Sequence, residues 1–241
     1  MESKFYQADE HRAEKVHELF ATIARRYDLL NDIMSAGLHR RWKQRLVELA
    51  RTEPESKERR EVLDLCCGTG DIARRFAIDS AEVIGADFTE EMLRVARALG
   101  GRTQRVGWVR ADALQLPFPD RSFDVVSVGY GLRNLADIER GLREILRVLK
   151  PGGRFLSLDF GKPESKLFRG IYFGYLRTVL PVLGHLFCDD PDTYGYILAS
   201  LHNYPAQRGI KELMESIGYR ECGFEEFCLG SMAINYGVKP E

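Results

Sequence analysis

The segment Glu61–Ala73, EVLDLCCGTGDIA, constrains the fold of this chain more than any other stretch. Val62-Leu63-Asp64-Leu65 is a short β-rich apolar run broken by one carboxylate, and it leads into Gly68-Thr69-Gly70 and a helical DIARRFA. The pattern reads as strand, tight turn, helix. Glycines in such a turn let the backbone approach a ligand with no Cβ in the way, and the following helix offers N–H groups without intrahelical partners. A nucleoside is the natural occupant. Gly68-x-Gly70-x-x-Ala73 also satisfies the dinucleotide fingerprint, which asks for a ribose-binding acid about 20 residues later. Asp87, closing VIGAD, stands 17 residues beyond Gly70. The turn points to nucleoside binding and leaves open which nucleoside.

At 241 residues the chain can bury a full core, so one domain over 1–241 is expected, with an N-terminal helical cap (1–60) and an apolar helical insertion (162–205). Lys and Arg number 35 against 36 Asp and Glu, a net charge of −1 that gives no drive toward nucleic acid. The five cysteines, Cys66, Cys67, Cys188, Cys222 and Cys228, lack zinc-type spacing, and no metal site is expected. MESKFYQADEH has no apolar stretch of the signal-peptide kind, so a reduced, cytoplasmic protein is expected. Adjacent Cys66-Cys67 reads as small residues filling a crowded turn rather than as a redox pair.

Upstream of the turn, residues 9–26 place Val16, Leu19, Phe20 and Ile23 at the spacing of an amphipathic helix. In the next segment Asn31 and Asp32 predict a turn or cap, Ser35 and Gly37 a second break, and His39 onward a helix carrying Trp42, Leu46 and Leu49. A charged linker, TEPESKERR, precedes the first strand. Tyr27, Asp28, Asn31, His39 and Trp42 bunch ahead of the nucleotide turn, where a lid would sit; ordinary core and capping account for them equally well.

Downstream the strand–helix alternation continues. AEVIGAD is a strand, TEEMLRVARALG a helix, RVGWVRAD a strand ending in Asp112, and DVVSVGYG a fourth strand. The helix DIERGLREILRVL, the turn Lys150-Pro151-Gly152-Gly153 and the strand RFLSLDF follow. Five such strands predict a parallel sheet with helices on both faces and ligands outside the carboxyl ends of the strands, where Asp87, Asp112, Tyr130 and Asp159 fall. Residues 162–205 are rich in aromatics and leucines but too interrupted by Arg169, Arg177, Pro181 and glycines to span a membrane; a lid over an apolar ligand and a plain insertion fit alike. AQRGIKELMESIG is a helix, and YRECGFEEFCL and MAINYGVK are strands whose short join at Gly230-Ser231 requires antiparallel pairing.

That antiparallel ending separates the nucleoside readings. A parallel α/β sheet closed by a hairpin resembles the class I S-adenosylmethionine-dependent methyltransferase fold, Rossmann-like and seven-stranded, whereas a dehydrogenase using NAD would continue with parallel units or a catalytic domain. Asp112-Ala113 after the third strand adds to this, since a carboxylate there can accept from the adenine amino group. Three further segments, YDLLNDIMSAGLHRRW, GLRNLAD and RVLKPGGRFLSLDFGKP, resemble the signature segments of the ubiquinone/menaquinone biosynthesis C-methyltransferase family, and the match runs from about Arg25 to the C-terminus. The chain departs from the family pattern at Leu30, Asp159 and Gly161, where Met, Glu and Ser are usual. Cys66 stands where the general methyltransferase turn has its first glycine, so this position is expected not to need a positive φ. Gly129, where members that also serve ubiquinone carry Ser, and Cys66-Cys67 are more similar to the menaquinone-dedicated branch.

The resemblance implies methyl transfer from S-adenosylmethionine to a ring carbon of a prenylated quinol: demethylmenaquinol in menaquinone biosynthesis, or the corresponding 2-methoxy-6-polyprenyl-benzoquinol of ubiquinone biosynthesis. It places Asp64, Gly68, Thr69, Gly70, Asp87, Asp112, Ala113 and Gly129 around the methyl donor, with Asp87 on the ribose hydroxyls. A phenolic carbon is a poor nucleophile until its hydroxyl loses a proton, so the site must stabilise a quinolate. Arg133 and Asn134 are the candidates for holding that oxygen, and His39, His202 and Tyr204 for removing the proton. Arg133 is expected to act on the ring and not on the fold; the bland alternative is a surface ion pair with Asp137 at i+4. The implied setting is cytoplasmic or peripheral at the inner face of a membrane, with self-association left open.

Overall fold

The computed structural model describes residues 18, 20–21, 27–51, 60–78, 82–100, 105–188 and 192–241, and at 27, 28, 30, 180–188 and 192–197 it describes the backbone. β1 (Glu61–Leu65), β2 (Glu82–Asp87), β3 (Val106–Arg110), β4 (Phe123–Gly129) and β5 (Leu149–Phe160) are parallel. β6 (Arg220–Phe227) and β7 (Met232–Val238) pair antiparallel, and β7 inserts antiparallel beside β5. The sheet order is β3-β2-β1-β4-β5-β7-β6. The join from β6 to β7, a single 3-10 turn at Cys228–Gly230 and then Ser231, is too short for a crossover, so the reversal follows from its length.

The helices are α1 (Tyr27–Ser35), α2 (His39–Ala50), α3 (Asp71–Ile78), α4 (Glu90–Gly100), α5 (Ile138–Val148), α6 (Lys166–Cys188), α7 (Asp192–Asn203) and α8 (Ala206–Ile217). Alternation along β1 sends Leu63 and Leu65 to one face, against Leu142, Ile145 and Val148 of α5 and Ile210 and Met214 of α8. Val62 faces the other way, against Leu46, Val47 and Ala50 of α2 and Ile72 and Phe76 of α3. Asp64 shares the face of Val62, which puts its carboxylate under the start of α3. α5 starts where Asp137 caps it, accepting from the Arg140 N–H at 2.9 Å.

Several local expectations differ from what is found. Asn31 and Asp32 lie inside α1, and the only break in that stretch is at 36–38; Asp32 is drawn instead into bonds from His39 Nε2 and Arg40 Nε, both at 2.8 Å. Lys150–Gly153 is not a free loop but an irregular excursion within β5, where pairing with β4 shifts register and the Gly152 N–H and Gly153 C=O bond to Lys239. β3 ends at Arg110, and Asp112 enters a bridge with Gln115 beyond it. Most of the predicted helix at 9–26 and of the linker TEPESKERR lies outside the described residues; Glu18, Phe20 and Ala21 are helical. Among the described residues no helix is long and apolar enough to cross a membrane.

Candidate functional site

The turn after β1 is held by one backbone bond to the neighbouring strand β2 and one within the turn. The Cys67 N–H donates to the Ala86 C=O of β2 at 3.1 Å, and the Gly70 N–H closes on the Cys67 C=O at 2.8 Å. Cys66 has φ +54°, so the expectation that this position avoids the left-handed region is incorrect. Space for its Cβ comes from across the sheet: a Cβ on Gly131 would lie 2.4 Å from Cys66 Cβ and 2.9 Å from its sulfur. Gly70, at φ +80°, rests against Trp108, whose Cη2 would be 2.2 Å from any Cβ there. Burial raises both thiols well above the ordinary cysteine range, which suits packing rather than redox work.

Beside this turn, at the carboxyl ends of the parallel strands, lies a cleft open to solvent, with about 850 Å³ of empty space. Gly68, Asp87, Asp112, Ala113 and Gly129 line it, as does Asn134 from the loop after β4. Apolar walls come from Phe20, Phe88, Met92, Leu114 and Leu135. Asp87 is fixed by the backbone on both sides: Oδ2 accepts from the Gly68 N–H and Oδ1 from the Thr89 N–H, each at 2.8 Å. Asp112 Oδ1 accepts from the Leu114 N–H at 2.8 Å. Phe88 directly follows Asp87 and Leu114 stands two residues after Asp112, a positional signal that the sequence carried. Asn134 donates through Nδ2 to the Tyr130 C=O at 3.3 Å, and its buried Oδ1 has no hydrogen-bond partner among the described residues.

A smaller cavity of about 320 Å³ lies on the other side of the turn, lined by Lys43, Asp64, Thr69 and Asp71 among others. Asp64 is completely buried; Oδ2 accepts from the Ala73 N–H of α3 at 2.9 Å and Oδ1 from Ser127 Oγ at 2.8 Å. Burial outweighs these bonds and pushes its pKa up to about 7. Lys43 of α2, itself buried, donates to Asp71 Oδ2 at 3.0 Å. Burial works against the Asp71 carboxylate, but Lys43 and Arg75 beside it hold its pKa below the usual value. Nothing local to Lys43 marks it, because its partner is 28 residues away.

Arg133 is placed differently from either expectation. Asp137 is the cap of α5, and the ion pair is with Asp159 of β5: Arg133 Nη1 to Oδ1 at 2.7 Å, both side chains 3 % exposed. The same Nη1 donates to the Tyr130 C=O at 2.7 Å, the Arg133 N–H to Asp159 Oδ2 at 3.2 Å, and the guanidinium lies 4.8 Å from the Phe160 ring centre. Arg133 is thus built into the fold, contrary to the expectation that it leaves the fold alone, and it does not line the cleft. His39 is buried, and its Nε2 is bonded to Asp32 at 2.8 Å; desolvation lowers its pKa against the pull of that carboxylate. His202 is exposed near the end of α7, and Tyr204 is buried in the core. None of the three lines the cleft, so of the sequence-derived catalytic set only Asn134 reaches it.

A profile of the ubiE/COQ5 methyltransferase family matches residues 7–239. A relative from Ectopseudomonas mendocina, the ubiquinone/menaquinone biosynthesis C-methyltransferase UbiE, is 41 % identical over 235 residues, 95 % of this chain and 90 % of that protein. The protein of the same name from Teredinibacter turnerae is 39 % identical over 234 residues, 95 % of this chain and 92 % of that protein. The chain belongs to the ubiE/COQ5 methyltransferase family. Solved structures agree on the fold: a SAM-dependent methyltransferase from Thermotoga maritima superposes with TM-score 0.65 at 19 % identity, covering 92 % of this chain and 99 % of that one. Phosphoethanolamine N-methyltransferase 2 of Haemonchus contortus, in complex with S-adenosyl-L-methionine, gives 0.60 at 20 % identity over 83 % of this chain and 53 % of that one.

The observed class I architecture and the family membership make this chain an S-adenosylmethionine-dependent methyltransferase, and the dinucleotide reading of the glycine turn is set aside. The cleft of this family member fits that donor on its own chemistry. Each oxygen of a carboxylate accepts more than one hydrogen bond, so an Asp87 already oriented by two backbone N–H groups presents a fixed acceptor pair to a vicinal diol. Phe88, Met92 and Leu114 offer apolar surface for a purine, and Asp112 lines the same cleft.

Proposed function

We propose that this cleft carries out C-methylation of a prenylated quinol, with demethylmenaquinol as substrate and menaquinol as product. The observation that carries the reading is Asn134, whose buried Oδ1 has no hydrogen-bond partner among the described residues and which lines an apolar cleft that also holds the acid Asp87. A buried polar atom of this kind costs stability unless something donates to it, and a quinol hydroxyl is such a donor. S-adenosylmethionine, held by Gly68, Asp87, Asp112 and Ala113, supplies an electrophilic methyl group on a sulfonium. Asp64, Thr69 and Gly70 then shape the turn from behind, and Gly129, lacking a Cβ, makes room for Ile72: a Cβ there would lie 2.4 Å from Ile72 Cδ1.

Within this reading Asn134 orients the ring by its hydroxyl, and Arg133 is a positioning residue. Arg133 and Asn134 both donate to the Tyr130 carbonyl, so the Arg133–Asp159 pair sets the loop that aims the amide. The apolar walls exclude water from a developing quinolate, which strengthens every polar contact to it. The test is single-turnover methyl transfer with two substrates, demethylmenaquinol and a 2-methoxy-6-polyprenyl-benzoquinol. We expect the naphthoquinol to be methylated and Asn134→Ala to slow that step by roughly tenfold, the loss of one orienting hydrogen bond worth about 1.4 kcal/mol. Methylation of the benzoquinol alone would overturn the menaquinone assignment, and an unaffected Asn134→Ala the role of the amide.

A further inference from the structure

Over residues 166–179 helix α6 has two apolar sides, and only one of them is covered by the described residues. Tyr172, Phe173 and Leu176 pack inward on the cluster that contains Leu132, Leu201 and Tyr204. On the opposite side Leu167, Ile171 and Tyr175 follow one another at four-residue spacing, which aligns them along the helix. They are 77, 60 and 43 % exposed. Gly170 and Gly174 share that face, and a Cβ on either would meet nothing within 4 Å. Thr178, also on it, turns its hydroxyl to the Gly174 and Tyr175 carbonyls of its own helix at 3.0 and 3.3 Å, so its hydrogen bonding is met locally. Lys166 and Arg177 border this face, and neither is in an ion pair among the described residues. The 23 residues of α6 contain no Asp or Glu, although the whole chain carries a net charge of only −1.

We propose that this face of α6 docks on an anionic lipid bilayer, with Leu167, Ile171 and Tyr175 entering the boundary between headgroups and acyl chains. An apolar stripe bordered by cations is the arrangement of an interfacial helix, and tyrosine favours that depth because its ring is apolar and its hydroxyl wet. Lys166 and Arg177 add attraction that a neutral surface would not supply. A second copy of this chain fits the face less well. An isologous contact brings the same patch from both subunits together, and here it would set cations against cations with no acid on the helix to answer them. The proposal deepens the quinol reading, since a long-prenyl substrate resides in such a bilayer, but its physical basis is the helix surface.

The experiment is co-sedimentation of the full chain with vesicles of phosphatidylcholine alone and of phosphatidylglycerol and phosphatidylcholine in equal parts, with light scattering on the free protein. Wild type is expected to partition onto the anionic vesicles, Leu167→Ser/Ile171→Ser to lose about tenfold or more of that partitioning, and Lys166→Glu/Arg177→Glu to lose the preference for anionic lipid. Both variants should turn over a short-tailed, water-soluble quinol as wild type does. Partitioning unchanged in both variants would overturn the proposal, as would a wild-type dimer that Leu167→Ser/Ile171→Ser dissociates. If wild type methylates no quinol at all, the substrate assignment falls while the vesicle data still decide this one.

Discussion

Arg133→Gln should unfold this protein more readily, and by an amount that a surface residue cannot produce. Arg133 and Asp159 are each 3 % exposed and meet at 2.7 Å, so removing the guanidinium leaves a carboxylate buried without its countercharge. Asp159 would keep the Arg133 and Phe160 N–H groups as donors but lose the charged one. Breaking a buried pair from one side costs about 3–5 kcal/mol, whereas an exposed pair is worth about 0–1 kcal/mol. For a chain of this size that larger cost corresponds to a melting temperature lowered by roughly 6–20 °C. Asp159→Asn should cost a similar amount, because the buried Arg133 charge would lose its countercharge. The double variant Arg133→Gln/Asp159→Asn buries no charge, so it should cost less than the two singles added, with a coupling of about 2–3 kcal/mol. Urea unfolding of the four proteins without S-adenosylmethionine measures this, the ligand being omitted because it would stabilise the folded state by mass action. Singles within about 1 kcal/mol of wild type, together with an additive double, would refute the reasoning.

Three more outcomes follow from the site. Asp87→Ala should weaken S-adenosylmethionine binding by about 1–3 kcal/mol, read by titration calorimetry, because the ribose and two backbone N–H groups lose their acceptor; an unchanged affinity removes Asp87 from the site. Asp64, with its pKa raised from 3.8 to about 7, binds more protons folded than unfolded, so its contribution to stability is fully present below about pH 4 and is lost as pH rises to about 7. That loss is on the order of 4 kcal/mol, and Asp64→Asn should flatten the corresponding slope in denaturation measured from pH 4 to pH 8; parallel slopes would show that Asp64 does not titrate there. Gly131→Ala should cost about 1–3 kcal/mol by driving a Cβ to 2.4 Å from that of Cys66, and Cys66→Gly should restore most of it; a harmless Gly131→Ala would mean that the two turns relax apart easily.

The parts of this protein that were legible in its sequence are those whose cause is local. A β-rich run, two glycines and a helical stretch make strand, turn and helix within thirteen residues, because side-chain period and φ preference act over that range. Asp87 was readable for the same reason, as the strand-end acid at a set distance from the turn. The antiparallel β6–β7 pair followed from a join too short to cross over. Tertiary structure decided what depends on register between segments far apart in the chain. Parallel pairing of β4 with β5 sets Gly129 opposite Leu158, and the Tyr130 N–H bonds to the Leu158 carbonyl, which brings Arg133 onto Asp159 rather than Asp137. Packing of α2 on α3 joins Lys43 to Asp71, and the meeting of two turns lets Cys66 hold a left-handed backbone because residue 131 has no Cβ. Burial, too, is a property of the assembled sheet. Asp64 reads as an ordinary strand carboxylate, and only the layers of helix and sheet that close over it raise its pKa toward neutrality.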